Sequence, residues 1–229
     1  VDRPPDDSAA RFLSLASHEL RGPLGTVRTY ASLLASPRFA LDERVRTAVE
    51  VMLRNLDRAL ASWDFLAEAW RLDVGGLHLD LREEDLLPIL RASAESVAST
   101  ARERSVRLEV SLPTTLPPVR VDIDRIHLAL TGAWSHVLAR SRSGASAGLS
   151  ARTSPEGTEL TFWDSGPPLT PEGEAHVFDR REQALRGHEL GSAFRMAMAG
   201  ALVQAHGGRA QVGSLSGRTL FQLLLPPPR

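Results

Sequence analysis

In the stretch SLASHELRGPL, residues 14–24, His18 is followed directly by Glu19, and Pro23 stands four residues beyond the glutamate. An imidazole titrates at about 6.5, so near neutrality it offers an uncharged, nucleophilic ring nitrogen. A neighbouring carboxylate can accept the other ring proton and steady the tautomer. The pair has the residue types for a nucleophilic step, unless His18 is one more solvated surface histidine. Arg21 adds a planar cation that could pair with phosphate or an acidic surface, or could be an ordinary helix arginine.

The element that must position them is a helix. Phe12, Leu13, Ala16, Leu20, Leu24, Val27, Ala31 and Leu34 recur at steps of three and four. At about 100° per residue, His18 falls almost opposite the centre of that stripe, near Arg11, Gly22 and Thr29, and so on the exposed face. Proline inside a helix costs about 3 kcal/mol and bends it. A local rule broken one turn after an exposed His-Glu pair marks a candidate site. Ser36-Pro37 ends the pattern. A second stripe runs through Val45, Val49, Met52, Leu56, Leu60, Trp63, Ala67 and Trp70 and stops at Gly75-Gly76. Two such helices read as an antiparallel hairpin over 9–74, after a Pro- and Asp-rich tail at 1–8. A lone hairpin cannot bury both stripes, so a homodimeric four-helix bundle is expected.

Beyond residue 77 the period changes. LHLDL (77–81), VRLEVSL (106–112), AGLSART and TELTFWD alternate as strands, and RAQVGSL and RTLFQLLL read as a hairpin around Ser216-Gly217. Residues 84–103, 122–141 and 191–206 read as helices, with PTTLPP as a loop and His206-Gly207-Gly208 as a helix stop. Interspersed helices and strands make 77–229 an α/β sandwich, and the whole chain α+β.

The totals bound the function. The 229 residues hold no Cys, which removes disulfides and thiolate metal sites. All 27 basic residues are Arg, so lysine-based phosphate or Schiff-base chemistry is absent. A net charge of −1 argues against nucleic acid as a partner. No apolar run reaches the ~18 residues of a membrane span, and Val1-Asp2-Arg3 does not open a signal peptide. A cytoplasmic location is the plain expectation, with an upstream sensor domain left open.

FLSLASHELRGPLGTVRTYASLL resembles the phosphoacceptor helix of bacterial sensor histidine kinases, whose motif is close to S-H-E-L-R-[TN]-P-L; only Gly22 departs from it. The likeness continues in the family's order. DIDRIHLALTGAWSHVLARS lies where the family has its Asn-containing helix, FWDSGPPLTPEGEAHVFDR where it has D-x-G-x-G, and GSAFRMAMAGALVQAHGGRAQVGSL where it has its last glycine box and helix. The resemblance implies that His18 takes a phosphoryl group and passes it to a receiver aspartate, with Glu19 as acid/base partner. It implies that Arg21 and Gly22 border the transfer surface. It also implies an ATP-binding fold in the second domain, with Asp164 reading the adenine amine.

The departures gather in that second domain. His136 and Gly132 stand where the family has Asn, and imidazole is a poor exchange for an oxygen ligand of Mg²⁺. Asp164 and Gly166 remain, but Pro167-Pro168 replaces the freedom of the second glycine. Gly191 remains, while Ala193 and Arg195 stand at the other two glycine positions. A vestigial nucleotide site is the reading, with the structural role the better account of Asp164, Gly166 and Gly191, and Asp164 either a relic or a turn cap. No metal site is expected, and ATP and Mg²⁺ bind only if the altered site still works. Gly22 lacks the side chain that positions water in the family, so receiver phosphatase activity should be weak. His78, His127, His176 and His188 form no constellation, and His206 is structural.

The leading expectation is a histidine phosphotransfer protein of two-component signalling. It relays phosphate through His18 between response-regulator receivers, some charged by an upstream sensor kinase. The alternatives are a weakly active sensor histidine kinase that autophosphorylates His18, and a non-catalytic pseudokinase scaffold in which His18 is dispensable.

Overall fold

The computed structural model describes residues 7–74, 76–186 and 191–227, with side chains described except at 7–18, 185 and 186. The chain divides into two compact units, Val1–His78 and Leu79–Arg229.

The first unit is a helical hairpin, α1 (Asp7–Leu34) and α2 (Glu43–Asp73). Helix α1 begins at Asp7, inside the stretch read as a tail; the rest of that tail, 1–6, lies outside the described residues, as does Gly75. The helix runs through Pro23, whose missing N–H leaves the Glu19 carbonyl without its in-helix donor. Asp42 caps α2, its carboxylate accepting from the Val45 N–H at 3.0 Å. Arg21 pairs with Asp64 and Arg28 with Asp57, so seven residues forward on α1 match seven back on α2. Such exposed pairs contribute at most about 1 kcal/mol each. Their significance is the antiparallel register they report. Leu20, Val27, Leu34, Val45, Met52 and Trp70 of the two stripes stay exposed on this hairpin, and so do Tyr30, Leu33 and Val51 outside them.

The second unit is built on a five-stranded sheet of β2 (Arg107–Ser111), β4 (Ser146–Ser154), β5 (Gly157–Asp164), β6 (Arg209–Leu215) and β7 (Arg218–Leu225), in the order β2-β4-β5-β7-β6. Only β2–β4 is parallel; the other pairs are antiparallel. A short antiparallel pair, β1 (Arg82–Glu84) with β3 (Val119–Val121), stands apart from it. LHLDL forms no strand; the paired residues are the three that follow it, and VRV pairs just beyond the expected loop. Alternation sets a tendency, whereas a strand exists only where a partner edge is in reach. The helices are α3 (Leu86–Ser96), α4 (Ala98–Glu103), α5 (Ile123–Arg140), α6 (Pro171–His176), α7 (Arg180–Arg186) and α8 (Ser192–Ala205).

The core lies between the sheet and α3, α5 and α8. Leu160 and Phe162 on β5, and Phe221, Leu223 and Leu225 on β7, point inward by the period of two and are fully buried. Trp134 of α5 meets the Phe162 ring edge-on, with centroids 5.2 Å apart. Its indole N–H donates to Ser93 Oγ at 3.1 Å, and that hydroxyl donates to the Leu90 carbonyl. The buried polar chain is thus closed. Trp134→Ala opens a cavity at the centre and strands Ser93. It is expected to lower unfolding free energy by about 3–5 kcal/mol in urea titrations; a loss under about 1 kcal/mol contradicts this packing.

Turn chemistry sets the sheet's ends. Ser216 and Gly217 both have positive φ, 51° and 75°, the two-residue turn that suits strand twist. Helix α8 closes with Gly207 at φ 77°, its N–H on the Gln204 carbonyl and that of Gly208 on the Val203 carbonyl. No described helix is long and apolar enough to cross a membrane.

Candidate functional site

The first locus is the α1 segment from His18 to Pro23. The His18 backbone is helical, and its side chain lies outside the described residues. Glu19 is exposed. Arg21 is not a free cation: its guanidinium is engaged by Asp64 of α2, although the side chain stays 61 % exposed. That contact holds it against α2. At Gly22 an added Cβ would meet nothing within 4 Å, so glycine there leaves open space. The nearby Thr26 hydroxyl donates to the Gly22 carbonyl at 3.1 Å.

The second locus sits in the other unit, where α5 ends above β5 and β7. Asp164, the last residue of β5, is fully buried. One carboxylate oxygen accepts from the Gly166 N–H at 2.8 Å, an Asx turn that matches the expected turn-capping role. The other accepts from Arg140 Nε at 2.8 Å. Arg140 Nη2 also donates to the Pro167 carbonyl and, at 3.2 Å, to Thr219 Oγ1, while its guanidinium lies 5.9 Å from the Phe221 ring centre. Burial pushes the Asp164 carboxyl above the usual range, and the Arg140 and Gly166 hydrogen bonds only partly offset this. At Gly166 an added Cβ would lie 2.5 Å from the Arg140 carbonyl oxygen, so the loop rests directly on the end of α5. Arg140 was not legible as a site residue: 24 positions separate it from Asp164, and a basic residue in a helix's last turn has an ordinary reading beside the dipole.

His136, one turn earlier on α5, is 5 % exposed and meets the Phe221 ring edge-on at 5.0 Å. Among the described residues neither ring nitrogen has a hydrogen-bond partner of ordinary geometry, although the Ser192 backbone is near enough to favour the charged ring. Burial, then the charge of Arg140, brings the ring down to about 3 from its usual 6.5, so it is neutral throughout the physiological range. A buried neutral imidazole does not fit Mg²⁺, which takes oxygen ligands. Among the described residues no group of three or more His, Cys, Asp or Glu could hold a metal ion.

Gly191 is the N-cap of α8, and no side chain caps that end. Its carbonyl accepts from the Arg195 N–H in the first turn. Of the remaining histidines, His206 bridges elements. Its Nδ1 lies 2.7 Å from the Leu202 carbonyl, so Nδ1–H donates there and Nε2 accepts from the Asp122 N–H at 3.0 Å. Burial lowers its pKa. Asp122 in turn caps α5 through the Arg125 N–H and accepts from the Asp80 N–H. His188 lies outside the described residues. The structure thus gathers His136, Asp164 and Gly166 at the end of α5, and describes the His18 segment in a separate unit.

Residues 8–62 match the family of His Kinase A (phospho-acceptor) domains. Over 226 residues the chain is 31 % identical to the sensor histidine kinase TrcS of Mycobacterium tuberculosis, covering 94 % of this chain and 43 % of that protein. The chain belongs to the transmitter family of bacterial sensor histidine kinases. This transmitter is also 29 % identical to the sensor histidine kinase MtrB of Mycobacterium tuberculosis over 227 residues, covering 96 % of itself and 39 % of MtrB. It spans less than half the length of these curated relatives. In fold it is similar to full-length ShkA solved with AMPPNP, at a TM-score of 0.67 and 24 % identity over 95 % of this chain and 46 % of that one. It is also similar to the histidine kinase AdeS of Acinetobacter baumannii, at 0.61 and 18 % over 91 % and 97 %. A helical hairpin followed by an α/β sheet unit is the architecture these comparisons support.

Proposed function

We propose that this transmitter is the phosphoryl-carrying part of a sensor histidine kinase, with His18 as the phosphoacceptor and ATP bound by the second unit as donor. The observation that carries this reading is the co-linear likeness to proteins named sensor histidine kinases. It spans 94 % of the chain rather than the phosphoacceptor helix alone. It favours the kinase alternative over the phosphotransfer protein that the altered motifs first suggested.

The chemistry assigned to the residues is simple. A neutral His18 ring nitrogen attacks the terminal phosphorus of ATP; the N–P bond forms, the P–O bond to ADP breaks, and ADP leaves. Glu19, exposed and next in sequence, takes the proton from the other ring nitrogen. A receiver aspartate oxygen then attacks phosphorus and the N–P bond breaks, returning His18. A second copy of the hairpin covers the exposed stripes of the first, and receiver domains are the partners.

One observation favours a second reading, in which a phosphorylated receiver charges His18 and ATP is dispensable. The carboxylate expected to meet adenine is already filled by Arg140, and His136 does not suit Mg²⁺. The chain incubated with γ-labelled ATP, and separately with a phosphorylated receiver, distinguishes the two. Label on His18 from ATP supports the kinase, and label from the receiver alone supports the relay. Label from neither leaves a scaffold and sinks both.

A further inference from the structure

The end of α5 carries two features that the transfer chemistry does not use. Arg140 binds Asp164, the Pro167 carbonyl and Thr219 together, although its side chain is 15 % exposed and within reach of solvent. His136, four residues earlier and against the same Phe221 ring, is deeply buried with both nitrogens unpartnered. Buried polar atoms without partners are rare, and each points to something that belongs beside it or to a state in which neighbours move.

The geometry makes Arg140 an internal ligand. Both oxygens of Asp164 are engaged, one by the loop's own Gly166 N–H and one by Arg140 Nε. A planar base bearing an exocyclic amine needs one of those oxygens as its acceptor; each keeps a lone pair, but the carboxylate is fully buried and Arg140, which does reach solvent, lies against it. The Gly166 bond is part of the turn that shapes the loop, with Gly166 packed on the Arg140 carbonyl, so it cannot be given up without moving the backbone. The Arg140 bond is made by a side chain of many rotatable bonds and is the one that can be exchanged. Its release uncovers the Phe221 ring, which the guanidinium faces at 5.9 Å and which His136 also meets edge-on.

We propose that Arg140 is the residue that sets nucleotide affinity in this transmitter: it occupies the Asp164 carboxylate, and an adenine nucleotide binds by displacing it. The proposal rests on the reading of the second unit as a nucleotide site and adds what controls that site. It accounts for a family fold that keeps the acid yet buries it completely. Arg140 is here a specificity-determining side chain, acting through Asp164.

Calorimetric titration of the purified chain with ATP in Mg²⁺ buffer tests it, using wild type, Arg140→Ala and Arg140→Gln. Circular dichroism melts select the variants that fold; Gln keeps an N–H for Asp164 and removes the charge. A milder variant, Thr219→Val, removes one Arg140 contact and leaves Asp164 paired, so it reports even if both Arg140 variants unfold. Wild type is expected to bind weakly, folded Arg140→Ala on the order of tenfold more tightly, the worth of one charge-assisted hydrogen bond, and Arg140→Gln between the two because its N–H still meets Asp164. Thr219→Val is expected to show a smaller gain. Adding Asp164→Asn to a tight variant should abolish the gain, and GTP, which lacks the amine at that position, should show none. Equal ATP affinity in wild type and every folded variant overturns the proposal. Phosphorylation of His18 is scored separately. Tighter ATP without label on His18 rejects the kinase and keeps the role of Arg140, and label on His18 with affinity indifferent to Arg140 does the reverse.

Discussion

A His18→Gln chain is expected to take up no acid-labile phosphoryl label, from ATP or from a phosphorylated receiver. Glutamine is close to histidine in size and tolerated in a helix, so the α1 backbone should persist and circular dichroism should not change. What disappears is the nucleophilic nitrogen, and no neighbouring group replaces it. The effect is therefore total, down to the background of the assay. Glu19→Gln should behave differently. A positioned base typically contributes on the order of a hundredfold or more in rate, so labelling should slow by that order while reaching the same final stoichiometry. Full label on His18→Gln would place the phosphoryl group elsewhere and end the assignment. Unchanged initial rates in Glu19→Gln would leave Glu19 as an ordinary surface carboxylate. If His18→Gln chains still support signalling in cells, the chain is a scaffold.

The second large effect is a loss of stability in acid that is assigned to His136. The folded chain holds this ring neutral down to about 3, burial being the main cause and the nearby Arg140 the next, whereas its ordinary value is 6.5. Below 6.5 the unfolded chain therefore binds a proton that the folded chain refuses. Stability contributed by this group is complete above that value and drains away as pH falls toward 3. The gap corresponds to a loss of about 2 kcal/mol at pH 5 and about 4 kcal/mol at pH 3, from 1.36 kcal/mol per unit. His136→Leu binds no proton in either state and removes two unsatisfied buried nitrogens. It should match or exceed wild type at pH 7.5 and lose about 2 kcal/mol less on going to pH 5. Some acid sensitivity should remain, because burial also lowers His206, whose Nε2 must stay unprotonated to accept from Asp122. Urea midpoints at the two pH values measure this. A His136→Leu chain as acid-sensitive as wild type would show that the ring is solvated in solution.

Much of the architecture was open to reading because its signals are local. The two apolar stripes at steps of three and four became α1 and α2, and Ser216-Gly217 made the turn between β6 and β7. The His206-Gly207-Gly208 stop also formed as read. Short elements were harder. LHLDL alternates but has no partner, and the three-residue strands β1 and β3 exist only because they pair with each other. Helix α1 starts before the expected end of the tail, since Asp7 and Ser8 suit a first helical turn as well as a linker.

The sequence by itself determined the hairpin, the α/β unit after it, the place of the His18-Glu19 pair on the first helix and the departures from the family pattern in the nucleotide boxes. Each depends on residue type and spacing within one element or one motif. Only the tertiary structure decided that Arg21 is held by Asp64, that His136 is buried without a partner, and that Asp164 is filled by Arg140. Those three facts join residues brought together by packing, across 43, 56 and 24 positions for the Asp64, Ser192 and Arg140 neighbours of Arg21, His136 and Asp164. Periodicity reports which face a side chain occupies, and desolvation with a specific partner decides what that side chain can still bind.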